Sequence, residues 1–123
     1  MNLFDINDKI KELELERVEL KKALYAFNRD LQFDKSPALD EAKNKITISV
    51  WSDKNLKNDT VRKATMSLVC EADTEILKAT HDKSVIENAI SKNEMMLREN
   101  LTDINYYKRM YEIQIHLSKV EGL

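Results

Sequence analysis

Proline and glycine are almost missing from this chain, which has one of each, Pro37 and Gly122, among 123 residues. These two residue types usually end helices and shape tight turns. Their absence between positions 37 and 122 therefore predicts a chain built mostly of long helices. The same absence excludes glycine-rich phosphate-binding loops, so neither a P-loop nor a dinucleotide-binding turn can form there.

Residue types that commonly carry catalysis are also scarce. The single cysteine, Cys70, excludes an internal disulfide framework and fits a reducing compartment. Cys70 lies in an apolar helical context, where we expect a buried thiol rather than a nucleophile. His81 and His116 are far apart in sequence, and Glu112 beside His116 does not complete a metal site. We therefore expect a protein that is not an enzyme and that uses no cofactor, metal or small-molecule ligand.

Long apolar runs are missing as well. No stretch approaches the roughly 20 apolar residues that a membrane-spanning helix needs. The first residues, MNLFDINDKIKELELE, carry acids where a signal peptide would carry basic and then apolar residues. We expect a cytoplasmic protein without a membrane partner, in the host cytoplasm if a phage encodes it.

The residues that are abundant favour amphipathic helices. Hydrophobic residues make up 42% of the chain and charged residues 34%, while aromatic residues make up 7%. This composition is typical of solvated helices and coiled coils, and the length suits one domain with a modest core. We predict a single, mainly all-α domain over residues 1–123, arranged as an elongated helical hairpin or coiled-coil bundle.

The first predicted helix covers about residues 5–32. Its apolar residues recur at steps of four and three, which is the heptad pattern of a helix packed along one line, here called the core seam. These residues are Ile6, Ile10, Leu13, Leu20, Leu24, Phe27 and Leu31. Arg17 occupies one core-seam position, where its side chain either extends to the surface or pairs with an acid to fix the register.

The next segment changes pattern twice. Ser36 before Pro37 resembles an N-cap followed by a first-turn proline, which predicts a short helix over about 37–44. Ile46, Ile48 and Val50 then alternate with polar or aromatic residues, which predicts an extended, β-like segment at about 45–51. A lone strand needs a partner for its backbone groups, so it would pair with a second copy or an irregular segment, or stay extended without a sheet.

A polar loop at residues 52–58 should precede a long helix, or a pair of helices, over about 59–119. Asn58, Asp59 or Thr60 can serve as the N-cap. A capping-box motif begins at Ser84, so the helix either continues as one rod or folds back near residues 80–84. The final part again has a core seam: Ile86, Ile90, Asn93, Leu97, Asn100, Ile104, Tyr107 and Tyr111.

The last turns of this helix are apolar on a second side. A second series with heptad spacing consists of Tyr106, Met110, Ile113, Leu117 and Val120. One neighbouring helix cannot cover both sides, which indicates self-association or docking of another protein. The alternative is that other helices of the same monomer cover both. The candidate protein interface comprises Tyr106, Tyr107, Met110, Tyr111, Ile113 and Leu117.

Charge is unevenly distributed, because residues 43–63 carry 6 Lys or Arg against 2 Asp or Glu while both flanks are acidic. A basic strip with one stacking aromatic could bind single-stranded nucleic acid. The candidate contacts are Lys43, Lys45, Trp51, Lys54, Lys57, Arg62 and Lys63. Alternatively, these cations pair with the acidic helices and Trp51 packs in the core.

The same segment resembles a known class of proteins. Lys45-Ile46 and Val50, followed by Leu56-Lys57-Asn58-Asp59-Thr60-Val61-Arg62-Lys63-Ala64, resemble small helical proteins encoded in the early recombination and replication regions of tailed phages of Gram-positive bacteria. The resemblance covers about residues 43–80. In those proteins an extended segment leads into a long helix. The resemblance therefore implies a bacteriophage genomic setting, and it does not imply a mechanism.

Three hypotheses about function remain open. The first is a helical protein–protein interaction factor of phage type, acting as a homodimer or higher oligomer or binding another phage or host protein. The second is an accessory DNA-recombination or replication factor that binds nucleic acid through residues 43–63. The third is an inhibitor of a host nuclease or defence enzyme that presents acidic helices in place of DNA.

Overall fold

The computed structural model describes residues 1–121, and these form α-helices with no strand among them. Helix α1 covers Leu3–Asp30, a π-helical segment covers Leu31–Lys35, and α2 covers Ser36–Trp51. Helix α3 covers Asp59–Ala72 and α4 covers Thr74–Glu121. The predicted all-α fold class is confirmed. The chain divides into two compact units, one of residues 1–26 with those from 90 onward and one of residues 27–89.

In the first unit, α1 packs antiparallel to α4 along the predicted core seams. The buried residues are Ile6, Ile10, Leu13, Asn93, Asn100 and Ile104. The Asn100 side-chain amide donates to the carbonyl of Leu13 at 2.9 Å, and Arg17 donates to the carbonyl of Leu97 at 3.1 Å. Contact positions thus rise along α1 as they fall along α4, which is the antiparallel arrangement. A long ion pair between Lys108 and Glu14, at 3.8 Å, lies beside the seam.

The second unit has its own small core, formed by α2, α3 and the first turns of α4. Leu39 and Ala42 of α2 pack on Ile76 of α4, and all three are buried. The half-buried residues around them are Ile46, Cys70 and Ala79. Cys70 is therefore a packing residue on α3, although it is half-buried and not fully buried as predicted.

Residues 45–51 are helical, so the predicted extended segment is wrong, and so is the predicted end of a short helix at residue 44. Helix α2 continues to Trp51 because Ile46 and Val50 lie four residues apart and both face inward. Ile48 lies between them in sequence but is 68% exposed. The alternating pattern therefore arises because Ile46 and Val50 lie on the inward face of the helix and Ile48 lies on the opposite face.

The predicted break before Pro37 is replaced by a π-helical segment. The backbone N–H of Ser36 donates to the carbonyl of Leu31, five residues earlier, and Pro37 follows in the first turn of α2. Proline lacks an N–H and its ring crowds the carbonyl four residues before it. Widening the helix at 31–35 accommodates the proline while the helical backbone continues from α1 into α2.

The remaining boundaries depend on side-chain caps. The loop at 52–58 is confirmed, and Asn58 caps α3 by accepting the Val61 N–H at 2.8 Å. The continuous rod from 60 to 119 is wrong, because Asp73 adopts an extended conformation between α3 and α4. Its carboxylate accepts the Ile76 N–H at 2.9 Å. The alternative fold-back at 80–84 is also wrong, since α4 passes through those residues without interruption.

Candidate functional site

The candidate interface residues on α4 separate into two groups. Tyr107 and Tyr111 lie half-buried on the core seam, whereas Tyr106 is 60% exposed. The rings of Tyr106 and Tyr107 meet edge to face with centroids 5.2 Å apart. This contact joins the seam to the outer side of the helix.

The outer side of α4 carries an exposed apolar stripe. Ile113, Leu117 and Val120 are 51%, 46% and 51% exposed, and Met110 is half-buried. Together with Tyr106 they maintain heptad spacing, so they lie on one face. We call Tyr106, Met110, Ile113, Leu117 and Val120 the outer stripe. An apolar face of this regularity is the usual signature of a helix that packs against a further helix.

A second exposed apolar face, which the sequence reasoning missed, lies on α1. Phe4, Leu15, Val18 and Tyr25 are all exposed, with Leu15 at 69%. Their spacing is also heptad-like, but Lys11 and Lys22 occupy the intervening positions of the same face and hid the signal. The lysines make this face less continuous than the outer stripe of α4.

The candidate nucleic-acid residues lie around the α2–α3 connection, and two of their cations are already occupied. Lys45 donates to the carboxylate of Glu75 at 3.2 Å. This hydrogen bond, with the charges of Glu75 and Glu41, raises the pKa of Lys45 above its ordinary value of 10.5. Lys45 is therefore an ion-pair partner between α2 and α4 rather than an available cation.

Arg62 has a similar structural role. Its guanidinium lies 5.3 Å from the centre of the Trp51 ring and 3.3 Å from the carboxylate of Asp59, one turn earlier on α3. The cation–π contact holds the end of α2 to the start of α3. Trp51 is 41% exposed, so it packs at the edge of the unit rather than in the core.

Four candidate cations point to solvent. They are Lys43, Lys54, Lys57 and Lys63, and within residues 1–121 none of them forms an ion pair. Lys54 and Lys57 lie in the loop that joins α2 to α3. The arrangement presents positive charge beside a partly exposed tryptophan, which suits an anionic partner.

A further charged cluster, also missed from the sequence, surrounds the π-helical segment. Lys35 donates to the Asp34 carboxylate at 3.2 Å. This hydrogen bond, together with the charges of Asp30, Asp34 and Asp82, raises the pKa of Lys35 above 10.5. The carboxylates come from both sides of a shallow groove between the π-helical segment and α4. Carboxylates outnumber lysines around this groove, and a cluster of surface acids alone defines no ligand.

The described residues offer no obvious reactive centre. Among residues 1–121, no three His, Cys, Asp or Glu side chains are grouped closely enough to hold a metal ion. His81 and His116 are both exposed. None of the described helices is both long enough and apolar enough to cross a membrane. The outer stripe, which is the more continuous of the two exposed apolar faces, and the lysine-rich connection are thus the main candidate surfaces.

No protein-family model, curated protein sequence or solved structure matches this chain. Any proposal about function therefore depends on the surfaces described above.

Proposed function

We propose that this chain is a non-enzymatic helical interaction protein that associates with a second copy of itself through the outer stripe of α4. The observation that carries the proposal is the exposure of this stripe. Four of its five apolar side chains are 46–60% exposed, whereas the core seam of the same helix is buried or half-buried. Burying such side chains is favourable, at roughly 25 cal/mol for each Å² removed from water.

A helix is the partner that fits this stripe. Side chains at heptad spacing fit into the spaces of another helix with the same spacing, and a second copy presents an identical stripe about a twofold axis. This interface would join two chains that are already folded, and it would be weaker than the buried core of an obligate dimer.

Charge around the stripe also supports self-association. Residues 101–121 contain the bases Lys108, Arg109 and Lys119 and the acids Asp103, Glu112 and Glu121. The segment is neutral with both signs interspersed, so a second copy is not repelled as it would be by a segment of one charge. A strongly acidic or basic partner would find no complementary field there.

The test is the mass in solution across a concentration series, by light scattering after gel filtration and by sedimentation. We expect a dimer at tens of micromolar and a monomer for I113E/L117E, which places two charges in the stripe. The matched control N105E/S118E adds the same charge at exposed positions outside the stripe and should remain dimeric. Helix content by circular dichroism should be equal for all three proteins. A monomeric native chain at several hundred micromolar would refute the proposal.

A second candidate function, binding of single-stranded nucleic acid, depends on the four exposed lysines of residues 43–63 and on the partly exposed Trp51. The test is fluorescence anisotropy with a labelled oligonucleotide across a salt series. Binding should weaken with a slope near −0.7 for each phosphate contacted. K54A/K57A/K63A should abolish it, while K92A/K119A, which removes exposed lysines elsewhere, should not. No binding at low salt would remove this candidate, together with the accessory recombination or replication role that depends on nucleic-acid binding.

A further inference from the structure

We propose that Arg17, Asn93 and Asn100 form a polar layer that fixes both the register and the antiparallel orientation of α1 on α4. Asn93 and Asn100 occupy core-seam positions and are only 6% and 3% exposed. Polar side chains at such positions lower stability, and their known benefit is that they disfavour alternative registers and orientations of the paired helices. This inference does not depend on the proposed self-association.

The hydrogen bonds tie the layer across the two helices. The Asn100 amide donates to the Leu13 carbonyl on α1, and the Arg17 guanidinium donates to the Leu97 carbonyl on α4. The two bonds run in opposite directions across the seam. Each holds a side chain of one helix to the backbone of the other.

The layer has both spare donors and spare acceptors. Within residues 1–121, the side-chain oxygens of Asn93 and Asn100 are buried and accept no hydrogen bond. An arginine has five N–H donors, and Arg17 directs one of them to Leu97, which lies between the two asparagines on the seam. In the native register the three polar side chains therefore share one section of an otherwise apolar seam.

Other pairings separate these groups. A slip of one heptad places Arg17 opposite Ile90 or Ile104, which is beyond one end of the asparagine pair instead of between the two asparagines. Parallel pairing of α1 with α1 of another copy places Arg17 opposite Arg17. The slip moves at least one buried asparagine oxygen away from the Arg17 donors, and the α1–α1 pairing brings two cations together, and both are unfavourable. Of these arrangements, only the native pairing places Arg17 between the two asparagines.

The test compares an apolar seam with a matched surface variant in a C70A background. R17L/N93L/N100L replaces the layer with leucine, and K21L/N88L/N105L places three leucines at exposed positions on the same two helices. Spin labels at E16C and E99C report the α1–α4 distance by pulsed electron resonance at low protein concentration. Thermal unfolding and solution mass are measured for the same proteins.

We expect R17L/N93L/N100L to melt higher than the native chain, by about 5 °C or more, because buried polar groups are removed from the seam. We also expect it to give several label distances or mixed oligomers, while the control gives the single native distance. One native distance in R17L/N93L/N100L would overturn the proposal, since the apolar seam would specify the register unaided. Several distances in both variants would overturn it equally, because the effect would not belong to the layer.

Discussion

Two leucines on α1 provide a direct test of the packing, because they are two residues apart and have opposite environments. Leu13 is 5% exposed on the core seam, and Leu15 is 69% exposed on the outer face. Leu→Ala at a buried site costs about 2–5 kcal/mol, from lost burial and from the cavity left behind. A two-helix interface is open at its sides and can relax, so we expect L13A to cost about 2–3 kcal/mol. L15A should change stability by no more than about 0.5 kcal/mol.

The assay is thermal and urea unfolding followed by far-ultraviolet circular dichroism at low protein concentration. For a chain of this length, about 2–3 kcal/mol corresponds to a melting-temperature decrease of roughly 8–12 °C. Alanine has slightly higher helix propensity than leucine, and this effect is the same at both positions. The difference between the two variants therefore isolates burial. Equal decreases, or a larger decrease for L15A, would refute the assignment of the core seam of α1.

Three further predictions concern the caps and one ion pair. N58A should destabilise α3 by about 1 kcal/mol by removing its cap, measured as faster amide hydrogen exchange in the first turn, and N55A in the same loop should have no such effect. D73A should cost a similar amount and speed exchange at the start of α4, whereas unchanged exchange would show that the Asp73 carboxylate is not the cap. Because the pKa of Lys45 is raised in the folded state, its contribution is present below about pH 10.4 and is lost as the pH rises through the raised value. The small difference in melting temperature between the native chain and E75Q should therefore decrease as the pH rises above about 10.4, and a difference that does not decrease would contradict the assignment.

The core seams could be predicted because heptad spacing by itself determines which residues share a helix face. Every predicted seam position from Ile6 to Leu31 and from Ile86 to Tyr111 is buried or half-buried. The partner of Arg17 could not be predicted in the same way. Its hydrogen bond goes to a backbone carbonyl, and carbonyls are present at every residue, so the pattern of side chains does not mark this one.

The mistaken strand at 45–51 shows how two periods can coincide. Ile46 and Val50 fit both an alternating strand and an i, i+4 helical face, and their β-branched neighbours favoured the strand. Leu39 and Ala42 settle the question, because with Ile46 and Val50 they make a series of steps of three and four. That series extends across the segment only if the backbone remains helical, as it does in α2.

The predicted helix boundary at Ser84 and the observed boundary at Asp73 differ for a related reason. The motif beginning at Ser84 has the residues of a capping box, but these lie within a helix whose backbone N–H groups already have partners. Asp73 is not part of a capping box, yet its carboxylate alone caps α4. A cap forms where packing requires the chain to turn. Residues near 73 must turn because α3 and α4 both pack their apolar faces on α2, around Leu39 and Ala42.

The two groups within the candidate interface give different information about function. Tyr107 and Tyr111 lie on the core seam, so replacing them weakens the α1–α4 pairing and reduces assembly and stability together. Ile113 and Leu117 lie on the outer stripe and are about half exposed, so I113E/L117E leaves the seam intact. Loss of the dimer with an unchanged melting temperature of the monomer assigns association to the stripe. Loss of both would instead mean that the stripe belongs to the packing of the single chain, and the proposed self-association would be wrong.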